Sequence, residues 1–274
     1  MFNKSVVLVL LMFFGMSYQL SAQKGLELGG WVGAAFYFGD LNTNYRLTKP
    51  GFAGGLNARY NLNNRLSTKG SLNYAKLRAS DADSDNQFEQ ERNLEFSNDI
   101  FEFTGQFEFN FFPYVHGSKD NWYTPYIFGG GSVFYHNPKR TVDGTTYSLR
   151  DFGTEGQAIG DEYIPISGAF AFGGGFKWDI AESWSMNIEF GVRKIFTDFI
   201  DDVSGAYPDA AALEANRDAT AVLLSSGTTL NPEITQAGRQ RGNSRDNDTY
   251  NFIGVSVMKY FGDLVCPKIS DNFN

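Results

Sequence analysis

IFEFTGQFEFNFF, residues 100–112, is the stretch that decides the fold. Phe101, Phe103, Phe107, Phe109 and Phe111 take the odd positions, with Glu102, Thr104, Gln106, Glu108 and Asn110 between them. Successive side chains of a strand point to opposite faces. One face is therefore a wall of phenylalanine, and the other is polar and bears two carboxylates.

The pattern recurs along the chain. WSMNIEFGVR (184–193) sets Trp184, Met186, Ile188, Phe190 and Val192 against Ser185, Asn187, Glu189, Gly191 and Arg193. AFAFGGGFKW (169–178) sets Phe170, Phe172, Phe176 and Trp178 against Ala169, Ala171, Gly173, Gly175 and Lys177. Near the start, Leu26, Leu28, Val32, Ala34, Phe36 and Phe38 share a face, and 52–60 and 66–74 alternate less cleanly. In YIFGGGSVFY (126–135) and YNFIGVSVMKYF (250–261) the apolar face is ambiguous. Eight strands are predicted, at 26–38, 51–60, 66–78, 98–112, 122–136, 163–178, 184–196 and 248–261.

These strands are longer than the five or six residues usual in globular sheets and suit a tilted bilayer crossing. Their connections alternate long and short: 39–50, 79–97, 137–162 and 197–247 are long, while 61–65, 113–121 and 179–183 are short. That is the signature of an up-and-down outer-membrane barrel with long extracellular loops and tight periplasmic turns. In a soluble barrel the apolar face would point inward. Here the face opposite the aromatics carries Gly, Ala, Ser, Asn and a few charges, which suits the narrow interior of eight strands. The phenylalanines are expected to face lipid, with Trp122, Tyr123, Trp178, Trp184 and Tyr260 as interfacial girdles. The predicted class is all-β, an eight-stranded antiparallel transmembrane barrel with a filled polar interior.

Residues 1–22 read as a signal peptide, with Lys4, an apolar run over 6–16 too short to span a bilayer, and Leu20 and Ala22 at the −3 and −1 positions. The barrel would occupy 23–261 and a periplasmic tail 262–274. The 274-residue chain carries a net charge of −8, its mean hydropathy is −0.31, and 16% of its residues are aromatic. Without Lys4 it has 22 cations against 31 anions, net −9. An acidic exported chain offers no basic stripe for nucleic acid. The single cysteine, Cys266, excludes an intramolecular disulfide and, lying far from the cleavage site, a lipoprotein anchor.

The inward charges predicted from the register are Glu27, Arg59, Lys69, Glu102, Glu108, Lys177, Glu189 and Arg193. Four anions balance four cations, and an eight-stranded barrel is just wide enough for its side chains to fill. A salt-bridged plug is expected, not a channel. Glu102 with Glu108 or Glu189 is the one pairing that resembles a general acid and base, and the charge balance favours structure instead. No nucleophile motif or phosphate loop appears, so no enzyme and no cofactor are expected. His116 and His136 fall at opposite ends of the fifth strand, too far apart to share a metal.

FTDFIDDVSGAYPD (196–209) opens the last long loop. Asp198, Asp201, Asp202 and Asp209 are weak calcium candidates because hard cations prefer oxygen ligands. Their spacing matches no standard calcium loop, and a solvated acidic loop end is the expectation. Asp209 is placed to cap a short helix through AALEANRDATAVLL, ending near Gly227 and serving as a partner surface or lid. In the tail, Cys266, Pro267 and Lys268 are accessible candidates for partner binding.

Several motifs together resemble one family. FYFGDLN, TPYIFGGG, FAFGGGFKWDI, FTDFIDDVSGAY, RGNSRDNDTY and CPK occur in the order, and over nearly the whole chain, found in PorG-type outer-membrane proteins of the type IX secretion system of Bacteroidetes-like bacteria. Phe199 and Ile200 depart from the Tyr and Leu expected there. The resemblance implies an accessory role in protein export, with the barrel anchoring or locating a periplasmic ring made of a lipoprotein and its partner subunit. Alternatives are a self-standing barrel in surface adhesion or envelope stability, or a port for small molecules, which the inward charges disfavour.

Overall fold

The computed structural model describes residues 23–47, 49–227 and 231–264. The predicted signal peptide and the candidates Cys266, Pro267 and Lys268 lie outside the described residues. The polypeptide forms β1 (Gly25–Phe38), β2 (Gly51–Asn61), β3 (Leu66–Ser80), α1 (Gln87–Arg92), β4 (Glu95–Asn110), β5 (Tyr123–Tyr135), β6 (Pro138–Val142), β7 (Thr145–Ser148), β8 (Ile166–Ala181), β9 (Trp184–Ile195), α2 (Ala210–Asn216), α3 (Ala219–Ser226) and β10 (Thr249–Phe261).

Eight of these strands, all but β6 and β7, pair antiparallel in the ring β1-β2-β3-β4-β5-β8-β9-β10, and β10 closes on β1 from Leu26↔Phe261 to Phe38↔Thr249. Closure leaves no free edge. The alternation read from 100–112 sets the faces. Phe101, Phe103 and Phe107 are 57–69% exposed, whereas Glu102 and Glu108 are 3% and 1% exposed. Leu28, Leu56, Leu72, Val133, Phe170, Phe190 and Ile253 continue the exposed apolar belt on the other strands. Among the described residues no helix is long and apolar enough to cross a membrane; the exposed apolar side chains of the strands lie on the barrel exterior. This is a closed eight-stranded antiparallel barrel of the outer-membrane type.

The long connections all emerge at one end, the short turns at the other. Ambiguity in β5 and β10 arises because their inward faces are aromatic too: Tyr126, Phe128, Phe134, Tyr250 and Phe252 are all at most 5% exposed. Tyr260, expected in a girdle, instead points inward and stacks on His116 with ring centroids 4.4 Å apart. The sixth predicted strand starts at Ile166 and not at 163, and Tyr163 leaves the wall to stack between His136 and Phe199.

Two features were not foreseen. The hairpin β6–β7 turns on Asp143 and Gly144, both at positive φ, an Asp-Gly signal of the type I′ turn. It extends the wall where β5 ends, pairing Lys139 with Ser97 of β4. The predicted helix is two helices, with Asp209 accepting from Ala212 N and Asp218 from Ala221 N, both at 2.8 Å. They lie over the mouth as a lid and bury Leu213, Ala221 and Leu224.

Candidate functional site

Inside the barrel the structure joins all eight predicted inward charges to ion-pair partners. Arg59 is the hub, with Nη1 3.0 Å from Glu27 Oε2 and Nε 2.8 Å from Glu108 Oε2. Glu108 also meets Lys177 Nζ at 2.9 Å and Lys69 Nζ at 3.4 Å. Lys69 reaches on to Glu189, which accepts from Tyr126 Oη at 2.7 Å. One level up, Arg193 pairs with Glu102 at 3.5 Å, and Glu102 accepts from Asn73 at 2.8 Å, Thr104 at 2.6 Å and Tyr250. The three carboxylates weighed as acid and base are each held by cations or hydroxyls. A void beside Trp31, Asn73 and Arg193 is about 20 Å³, room for about one water.

The sequence reading missed the neutral residues that close this network. Trp31 falls on the inward face of β1, donates to Asn73 Oδ1 at 2.8 Å and packs on Phe252. At the short-turn end His116 lies between Asp179 (2.9 Å) and Glu27 (3.2 Å), with Gln23 Oε1 accepting from its backbone N–H. Burial alone would lower the His116 pKa, but the two carboxylates outweigh it and hold it at about 9. His136, at the other end, is buried against Phe134 and Tyr163, and burial lowers its pKa to about 4.

The long-loop end differs from expectation most. FTDFIDDVSGAY is not a solvated loop end: Ile200, Asp201, Asp202 and Val203 are at most 1% exposed, because the segment folds down into the mouth. There it meets the other long-loop motif. Asp202 accepts from Thr154, from Tyr163 Oη at 2.9 Å and from Arg241 Nη2 at 3.4 Å. Arg241 also reaches Glu155 at 2.9 Å, and Glu155 caps Ser204 N at 2.8 Å. Beside it Arg92 grips Asp81 with two 2.7 Å bonds and donates to the carbonyls of Asp40 and Arg241. Two buried arginines thus tie all four long loops together. Gly242 is required here, since a Cβ would stand 2.4 Å from Asp40 Oδ2 and 2.7 Å from Ser204 N.

Asp201 accepts from Tyr37 Oη at 2.5 Å, and Asp248 Oδ1 lies 3.0 Å from the same hydroxyl. One phenolic hydrogen cannot serve two carboxylates. Burial, then neighbouring carboxylates, push Asp201 and Asp248 well above the usual range, so the cluster holds extra protons. Burial likewise raises Asp198 to about 7 and Asp202 to about 6. Among the described residues no group of three or more acidic, histidine or cysteine side chains is arranged to hold a metal ion. Asp198, Asp201 and Asp202 are instead packed into a cap above an apolar layer of Leu77, Phe96, Ile100, Phe134, Ile195, Ile200 and Leu224.

A family model described as "Domain of unknown function (DUF6089)" matches residues 4–231. The chain belongs to that family. No curated protein matches it. Among solved structures, it is similar to the attachment invasion locus protein Ail of Yersinia pestis, at 10% identity over 88% of this chain and 99% of that one, TM-score 0.40. It is also similar to the outer membrane protein OprG from Pseudomonas aeruginosa, at 11% over 88% and 98%, TM-score 0.44. A third is Outer Membrane Protein W of E. coli, at 12% over 88% and 100%, TM-score 0.36.

Proposed function

We propose that this barrel sits in the outer membrane with its long loops outward, and serves as a closed anchor, not as a conduit. The observation that carries this is the filled lumen: an eight-charge network across the middle, His116 and Tyr260 below it, and a four-loop cap above it. Moving an ion through would require breaking buried pairs, each break costing about 3–5 kcal/mol. As the finer reading, the anchored assembly is the periplasmic ring of the type IX secretion machinery, a lipoprotein and its partner subunit. Supporting that reading are the motifs FTDFIDDVSGAY and RGNSRDNDTY, whose side chains meet as Asp202–Arg241 and around Tyr37 as Asp201 and Asp248. They build a cap, which leaves the short-turn end as the face open to a periplasmic partner.

The test is a mild-detergent pull-down of the tagged chain from native outer membranes, with co-purifying proteins identified by mass spectrometry. Ring components are expected at stoichiometric level, and truncation of 262–274 or alteration of 62–65 and 111–122 should release them. A barrel that purifies alone while other envelope complexes stay intact refutes the anchoring role. A second reading, surface adhesion, draws on the ordered four-loop cap. It predicts that deleting 205–245, and not the turns, removes the phenotype.

A further inference from the structure

One flank of the barrel departs from the acidic character of the chain. The outward row of β3 runs Leu72, Tyr74, Lys76, Arg78, and Tyr74 packs between Phe52 (6.4 Å) and Phe101 (5.3 Å) as an aromatic edge to the apolar belt. Arg78 lies four residues, about 13 Å along the strand, beyond that edge. Here a groove of about 490 Å³ runs over the tops of β3, β4 and β6, lined by Lys49, Arg78, Lys139 and Arg140, with Glu95 its one carboxylate. Lys76 and Lys139 share Asp99 at 3.5 and 3.4 Å, and Lys49 pairs with Asp83. Arg78 is exposed, and its side chain has no hydrogen bond or ion pair to another described residue. Arg140, the next residue on β6 after Lys139, points the opposite way: it is 4% exposed, with its guanidinium beside Leu94 and Gly227 of the cap. The opposite flank has no such group: the outward rows of β8 and β9 reach this height with Ile166, Phe196 and the single cation Lys194.

We propose that this groove binds the phosphorylated headgroup of an outer-leaflet lipid. The cations stand directly above an aromatic and aliphatic wall, so a lipid whose acyl chains lie along Leu72, Tyr74 and Phe101 brings its phosphates level with Arg78 and Lys139. Aromatic side chains mark the membrane interface, and guanidinium forks match phosphate oxygens. Such a lipid supplies the acceptors that the Arg78 guanidinium lacks. A soluble phosphate would use the cations but not the apolar wall. The site rests on the membrane placement proposed above and is independent of any secretion role.

The experiment titrates the full chain, purified in detergent, with diphosphorylated lipid A, with the same lipid enzymatically dephosphorylated, and with inorganic pyrophosphate, reading bound species by native mass spectrometry. The phosphorylated lipid is expected to bind the wild type. In the double variant Arg78→Ser, Lys139→Ser binding should weaken about 30-fold, from about 1 kcal/mol per basic group near an anionic surface. Lys194→Ser should bind like the wild type. Unboiled gel mobility shows that each variant is a folded barrel. Equal binding by the double variant, or by the dephosphorylated lipid, overturns the site. Pyrophosphate binding as tight as the lipid's assigns the groove to a soluble anion and overturns it as a lipid site. Flotation of the chain with phosphatidylcholine vesicles is read separately: failure to insert refutes the membrane placement, whereas insertion without headgroup discrimination refutes the groove alone.

Discussion

Replacing Glu108 with glutamine tests the lumen directly. Glu108 is 1% exposed and neighbours three cations: Arg59 at 2.8 Å, Lys177 at 2.9 Å and Lys69 at 3.4 Å. Glutamine keeps the volume and removes the charge. Lys69 retains Glu189 and Arg59 retains Glu27, but Lys177 loses its only ion-pair partner among the described residues. Stranding a buried charge in this way costs about 3–5 kcal/mol. The assay is urea unfolding of the reconstituted barrel followed by tryptophan fluorescence. With a slope of about 3 kcal/mol per molar, the midpoint should fall by about 1–1.7 M. Adding Lys177→Met removes the stranded cation and should recover most of the loss. A loss under about 1 kcal/mol in Glu108→Gln would mean that water reaches the network. It would refute the filled lumen, and the closed-anchor reading with it.

Three further outcomes follow from the same geometry. The His116 pKa is raised above its unfolded value of 6.5 to about 9, so its contribution, about 3 kcal/mol, is complete below pH 6.5 and lost as pH rises through 9. Unfolding midpoints between those values should fall in the wild type more steeply than in His116→Gln, and equal slopes would dismiss the Glu27–His116–Asp179 clasp. Asp198 and Asp202 are carboxyls raised to about 7 and 6, so the folded cap holds their protons more tightly than the unfolded chain does and is favoured at low pH. Proteolysis within 196–248 should therefore quicken from pH 5 to 8, and Asp198→Asn should flatten that trend; a rate that falls with pH contradicts the buried-acid account. Phe103→Arg on the 57%-exposed outward face should cost about 2–4 kcal/mol in bilayers and far less if the surface met water, a contrast readable by comparing refolding yields in vesicles and in detergent.

Much of the barrel was legible because a strand has a period of two and each face meets one solvent. Where outward phenylalanine alternates with inward Glu, Gln or Asn, as in β4, the faces follow from the letters alone. In β5 and β10 the signal fails because Tyr126, Phe128, Tyr250 and Phe252 are inward aromatics, so both faces read alike. The eight lumen charges could be named from their face, but not matched, because Arg59 on β2 meets Glu108 on β4 across β3, and Lys177 on β8 reaches it across β5. The Asp-Gly turn of β6–β7 was present in the sequence and was overlooked inside a long loop. The acidic motif reads differently for another reason: polarity suggests water, and only Arg92 from another loop and Arg241 from the far end of its own loop make its burial tolerable.

The sequence by itself therefore determined the membrane-facing belt, the number of spanning strands, the alternation of long and short connections and the charge balance of the lumen. Each depends on local periodicity or on a count, and neither needs distant neighbours. Only the tertiary structure decided that the long loops fold into a cap, that His116 and Tyr260 close the opposite end, and that Lys49, Arg78, Lys139 and Arg140 gather on one flank. Those arrangements join residues far apart along the chain through barrel closure and buried ion pairs, and no local pattern encodes which distant charge will neutralise which.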